Sequence, residues 1–189
     1  MKSIIIMASG SGSNAENIVK YFQGNKNVQV TAIFSNKKDA KVLERASKLG
    51  ISAYYFNKTA FLGGQIVELF KALNPDLIVL AGFLWKVPTD LVEAFDSKII
   101  NIHPALLPKY GGKGMFGMNV HKAVKENRET ESGISIHFVN ENYDKGNMIF
   151  QAKTEVLDTD TPDHIAQKVH ALEYEHFPQI IEKLLNGKI

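Results

Sequence analysis

The chain has 189 residues, 44% hydrophobic and 22% charged, with a net charge of +2 at pH 7. That is enough for one substantial core, in the balance usual for a soluble globular protein. The charge carries no basic block, so nucleic acid is not an expected partner. No apolar run approaches the roughly 18 residues of a membrane span, so no membrane is expected either. There is no cysteine, which excludes disulfide and thiolate chemistry and fits a reducing cytoplasm.

Apolar runs alternate with helical spacing through the first half. Ile4–Ala8, Val28–Ser35, Ile51–Phe56, Leu77–Ala81 and Lys98–His103 read as strands, the first, fourth and fifth as buried ones. Asn14–Phe22, Ala40–Leu49, Gly64–Leu73 and Thr89–Phe95 carry the periodicity of helices. Such alternation implies right-handed crossovers and an α/β fold with a doubly wound, mostly parallel sheet, here a single domain over residues 1–189. Further on, Gly133–Asn140 half-alternates as a strand, and Met148–Val156 reads as a second strand antiparallel to it. A long helix follows from Pro162 to Leu185, in which Pro178 is expected to introduce a kink.

Ligands of open α/β sheets bind beyond the carboxyl ends of the strands. Strand ends at Ser9–Asn14, Gly82–Trp85 and His103–Pro104 therefore open onto one edge. Gly10-Ser11-Gly12-Ser13-Asn14 lies between a strand and a helix, where backbone N–H groups can close on an anion. It can equally be a plain helix start capped by Ser13 or Asn14. With Ala15 it also satisfies a dinucleotide fingerprint, but the acidic residue that such a site wants about twenty positions on is replaced by Ser35-Asn36-Lys37-Lys38. The loop therefore reads as a monophosphate cradle.

Asn101 and His103 stand two apart on a strand that stops at Pro104, so they share a face. One can donate hydrogen bonds to a developing oxyanion and the other can move a proton. The glycine-rich stretch that follows, with Met115, Phe116 and Met118, is either a lid or a flexible connection. Asp144 sits in an ordinary-looking turn; close to His103 it would favour the imidazolium and raise its pKa. His121, His164, His170 and His176 look like ordinary helix residues, and His137 is ambiguous. No histidine spacing suits a metal, so no metal is expected.

Together these residues resemble the phosphoribosylglycinamide formyltransferases, folate-dependent enzymes of purine biosynthesis. The resemblance runs over nearly the whole length. It rests on Ser9–Asn14, Phe34-Ser35-Asn36, Pro75-Asp76, Leu80–Phe83, Asn101–Tyr110, His137-Phe138-Val139, Asp144-x-Gly146 and Gln151. It implies transfer of the formyl group of 10-formyltetrahydrofolate, as cosubstrate, to the primary amine of 5-phosphoribosylglycinamide through a tetrahedral oxyanion. Asn101, His103 and Asp144 would form the catalytic group. Gly12, Ser13 and Asn14 would hold the phosphate, and His170, Ala171, Leu172 and Glu173 the rest of that substrate. Folate would lie along Leu84, Trp85, Lys86 and Val87, with Asn101, and against Asn140, Glu141, Asn142, Tyr143 and Asp144. The resemblance also implies a cis Leu107–Pro108 bond and a monomer or homodimer.

Departures fall on the folate side. Leu84-Trp85 and Lys86 replace a common Met-Arg, the stretch at Leu62-Gly63-Gly64 is shortened, and Gly111–Met118 differs from the usual loop. The alternatives are another folate formyl enzyme, above all formyltetrahydrofolate deformylase, and a non-catalytic phosphate or nucleotide binder. Methionyl-tRNA formyltransferase and the deformylase carry additional domains that this sequence is not expected to have.

Overall fold

The apolar runs assemble into one seven-stranded sheet in the computed structural model, which describes residues 1–189. In chain order the elements are β1 (Lys2–Met7), α1 (Ser13–Phe22), β2 (Val28–Ser35), α2 (Lys41–Lys48), β3 (Ser52–Tyr55), α3 (Lys58–Leu62) and α4 (Gln65–Leu73). These are followed by β4 (Leu77–Leu80), α5 (Thr89–Ala94), β5 (Ile99–His103), α6 (Met118–Glu126), β6 (Glu131–Phe138), β7 (Met148–Glu155) and α7 (Pro162–Leu185). The strand order is β3-β2-β1-β4-β5-β6-β7. β1 to β5 are parallel, and β6 runs antiparallel to both β5 and β7. Winding reverses between β1 and β4, which places the crevice of a doubly wound sheet beyond the ends of those two strands.

Helices cover both faces. Ile4, Ile6, Val79, Ile100 and Ile102 bury one face of the sheet under residues of α1, α2, α6 and α7. Ile5, Met7, Ile78, Leu80 and Ile99 bury the other under α3, α4 and α5. The alternation of neighbours such as Ile4 and Ile5 between the two cores is the period-two geometry of a strand buried on both sides.

Two expectations change. α3 emerges where the sequence shows no helical pattern, and α6 follows the glycine-rich stretch, around the His121 that reads as helical. The penultimate strand begins and ends two residues earlier than expected, at Glu131 and Phe138, because Glu131 and Ser132 pair with Glu155 and Thr154 on β7. α7 spans Pro162 to Leu185, the range that the sequence predicts, with the buried Pro178 inside it. No helix is long and apolar enough to cross a membrane.

Candidate active site

The rim of the crevice is tied together by a buried serine. Ser9, just past β1, donates to Asn36 Oδ1 beyond β2 (2.6 Å) and accepts from the backbone N–H of Leu84 beyond β4 (2.9 Å). One hydroxyl thus fixes three strand ends. Beyond it Gly12 is the N-cap residue of α1, at φ +75°. Neither Ser13 nor Asn14 caps the helix, contrary to one sequence reading. Asn14 instead donates across the cleft to Glu173 Oε2 (2.9 Å). The first N–H groups of α1 have no intrahelical acceptor, as in every helix, and point outward where an anion can meet them. A Cβ on Gly12 would lie 2.3 Å from Val42 Cγ2. Gly12→Ala is therefore expected to cost about 1–2 kcal/mol from left-handed backbone strain alone, plus the clash. A denaturant melt and the KM for a phosphate-bearing substrate will both register it.

Near the middle of α7, His170 and Glu173 stand one turn apart on the face toward Asn14, and His170 Nδ1 is 2.8 Å from Glu173 Oε2. That hydrogen bond raises the His170 pKa despite burial. Ala171 is exposed and Leu172 packs on the core, so neither lines the cleft. The intervening residues of a helical turn cannot share its face.

β5 supplies Asn101 and His103, and antiparallel pairing puts His137 opposite Asn101 and Ser135 opposite His103. His137 Nδ1 donates to the Phe138 carbonyl (2.8 Å), and its Nε2 lies 3.2 Å from Asn101 Nδ2. Ser135 donates to Ala105 O (2.7 Å) and accepts from the Leu107 N–H (2.9 Å). Gln151 donates to Leu107 O (3.0 Å) and to Ser135 (2.8 Å). These bonds pin the loop after β5, in which the Leu107–Pro108 peptide is cis.

Asp144 stands on the β6–β7 connection at φ +52°. Gly146 follows it against β6, where a Cβ would sit 1.6 Å from Phe138 O, so the connection can pack this closely only with glycine there. Asp144 Oδ2 accepts from the Gly112 N–H (2.8 Å) and lies 3.7 Å from His103 Nδ1. Its Oδ1 lies 3.4 Å from Asn101 Nδ2 and 3.6 Å from His137 Nε2. Burial pushes the Asp144 carboxyl up, but His137, His103 and Gly112 together outweigh it and hold it below its ordinary value. The residue that the sequence read as turn chemistry is the hub of the cluster.

The histidine behaves otherwise than expected. His103 is buried, and the loss of water pushes its imidazole below its ordinary value, against the pull of Asp144 and of the Tyr110 carbonyl. Proximity to the carboxylate is real, but desolvation wins. In the free protein burial thus favours the neutral form of His103.

His121, which reads as an ordinary helix residue, is buried and lines the same cleft from α6. Burial, then the charge of His170, pushes its pKa down to about 4. An unfolded histidine titrates near 6.5, so below that pH the unfolded chain binds a proton that the fold refuses. Stability is thus expected to fall as pH drops from 6.5 towards 4, with His103 acting in the same direction. A His121→Gln variant should show a shallower dependence of Tm on pH across this window.

Two hollows meet at this cluster. The larger, about 590 Å³, is lined by Gly12, Ser13, Asn14, Leu84, His103, His170 and Glu173, among others. The smaller, about 60 Å³, is lined by Trp85, Lys86, Val87, His137, Asn140 and Asn142, among others. Phe83, Asn101, Tyr143 and Asp144 belong to both. Glu141 is exposed and lines neither. Trp85 packs against Phe56, Phe61 and Phe83, with ring centroids 6.1, 5.7 and 6.4 Å away. No group of three or more His, Asp or Glu side chains is placed to share a metal ion.

Comparisons with known proteins bear on the chain as a whole. Residues 2–181 match the family described as "Formyl transferase". The chain is 36% identical over 195 residues to the chloroplastic phosphoribosylglycinamide formyltransferase of Arabidopsis thaliana, covering 100% of this chain and 67% of that protein. It is 35% identical over 193 residues to the phosphoribosylglycinamide formyltransferase of Escherichia coli, covering 99% and 89%. The crystal structure of glycinamide ribonucleotide transformylase 1 from Symbiobacterium toebii superposes with a TM-score of 0.90 at 30% identity, covering 99% of this chain and 89% of that one. With a family match over nearly its whole length, and relatives of one kind among both sequences and structures, the chain belongs to the phosphoribosylglycinamide formyltransferases of the formyl transferase family.

Proposed function

We propose that in this phosphoribosylglycinamide formyltransferase the larger hollow holds phosphoribosylglycinamide and the smaller one takes the pterin end of 10-formyltetrahydrofolate, with formyl transfer at their junction. The observation that carries this reading is the sharing of Asn101 and Asp144 by both hollows, with His103 on one side and His137 on the other. A group passing between two small molecules needs its polar machinery at such a boundary. The α1 N-terminus with Gly12, Ser13 and Asn14 takes the phosphate, and Glu173 with His170 takes ribose hydroxyls. Leu84 to Val87, with Asn140, Asn142 and Tyr143, form the folate wall.

In this reading the substrate amine attacks the formyl carbon, and charge gathers on the formyl oxygen as the carbon becomes tetrahedral. Asn101 Nδ2 donates to that oxygen, exchanging its 3.4 Å contact with Asp144 for a stronger one. Neutral His103 accepts a proton from the attacking nitrogen, and Asp144 stabilises the imidazolium so formed. The carbon–N10 bond then breaks and His103 returns the proton to N10. Overall one N–C bond forms, one breaks, and one proton passes from amine to folate. The work is assigned to side chains of a single chain, whether monomer or homodimer, with no nucleic acid and no membrane. The cysteine-free composition suits a reducing cytoplasm.

The test is a spectrophotometric assay of 10-formyltetrahydrofolate, with and without phosphoribosylglycinamide, in metal-free buffer. Folate product that appears only with the amine supports the reading. Product formed equally without it would make the protein a deformylase, and no turnover in either case would leave a binding protein.

A further inference from the structure

His103 Nε2 lies 2.7 Å from the backbone carbonyl of Tyr110. A carbonyl can only accept, so Nε2 carries a hydrogen, and in the neutral ring Nδ1 must be bare. Nδ1 is the nitrogen that faces Asp144. Which nitrogen can take up a proton in the cleft therefore depends on where one backbone carbonyl points.

That carbonyl is held by unusual means. Tyr110 adopts φ +56°, a region disfavoured for side-chain-bearing L residues, so the surrounding structure must hold it there. Its ring packs against the core, and its hydroxyl donates to Glu129 Oε1 at 2.9 Å, nineteen residues further along the chain. Burial, then Glu129, pushes the phenol up to about 12, so it remains a donor throughout the working pH range. Lys109 Nζ reaches both Glu129 oxygens at 3.0 Å, in a largely exposed pair of small energetic weight.

We propose that Tyr110 and Glu129 are positioning residues for formyl transfer: their hydrogen bond keeps the Tyr110 carbonyl on His103 Nε2 and so selects the ring tautomer that presents Nδ1 to the cleft. The proposal rests on the reading of His103 as the residue that moves the proton. Neither Tyr110 nor Glu129 lines either hollow; they act through one backbone carbonyl.

The test combines ring NMR with kinetics. In protein carrying ¹⁵N-labelled histidine at pH 8, wild-type His103 should show protonated Nε2 and bare Nδ1, its signals assigned by their absence in His103→Gln. Tyr110→Phe and Glu129→Ala should give a tautomer mixture. Each should also lower kcat by about fivefold, the scale of one hydrogen bond, with both KM values within about twofold of wild type. Glu129→Gln keeps an acceptor for the phenol while losing the ion pair, and should restore wild-type behaviour in both measurements. A variant in which either the tautomer or kcat stays at the wild-type value overturns the proposal, as does a Glu129→Gln variant as impaired as Glu129→Ala. If Tyr110→Phe does not fold, the partly exposed position of Glu129 lets Glu129→Ala carry the same comparison. The ring signature needs no substrate, so a wild-type enzyme without turnover would fail the functional reading while leaving the tautomer result intact.

Discussion

Replacing His103 by alanine or glutamine is expected to lower kcat by roughly 10²–10⁴-fold, the range usual for loss of a positioned proton carrier. KM for both substrates should change little, because the phosphate loop and the folate wall are built by other residues. Glutamine keeps much of the volume and one donor, yet it cannot accept a proton and give it back. If glutamine retained more than about a tenth of wild-type kcat, His103 would be a hydrogen-bond donor only. The fold should survive both changes, since the β5–β6 pairing is made by the backbone and Ser135 and Gln151 hold the following loop.

The second large effect is expected at Asp144. Asparagine there preserves shape and can still accept from Gly112, but the negative charge facing His103 and His137 is gone. That charge raises the proton affinity of His103 against burial, so its removal lowers the His103 pKa further. The acid limb of kcat/KM should therefore move to lower pH in Asp144→Asn, because the base form persists further into acid. The plateau should at the same time fall by about 10²-fold or more, since the imidazolium formed during transfer has lost its counter-charge. A plateau loss without the shift would mean that Asp144 acts on Asn101 and the Gly112 loop alone. A shift to higher pH would contradict the arrangement of the cluster.

Much of this architecture is written in the order of residues. The five apolar runs, the spacings between them and the antiparallel pair at the end are one-dimensional patterns, and they survive into the sheet with shifts of one or two residues. Asn101 and His103 are legible for the same reason, because a period of two places them on one face. What escapes is whatever depends on pairing or burial. His137 belongs to the site because it faces Asn101 across two antiparallel strands, a register that spacing along the chain does not reveal. A signal was nonetheless present, since Ser135 and His137 repeat on β6 the polar i, i+2 pattern of Asn101 and His103. Ser9 and Asn36 meet across two loop ends, and His121 reads as a helix residue without any sign that its face of α6 is buried in the cleft. α3 spans only five residues, too few to show a period. The direction of the His103 pKa was missed because sequence suggests a neighbour but says nothing of how much water that neighbour's side of the ring retains.

The aromatic wall has a use beyond packing. Trp85 is the only tryptophan in the chain, and it borders the hollow assigned to the pterin. All indole emission therefore originates at that one position, with no background from elsewhere in the fold. The arrival of the pterin beside Trp85 displaces water from the indole and quenches it by direct contact. Quenching of that single emitter then reports occupancy by the cosubstrate without any turnover, even in His103 and Asp144 variants too slow to assay.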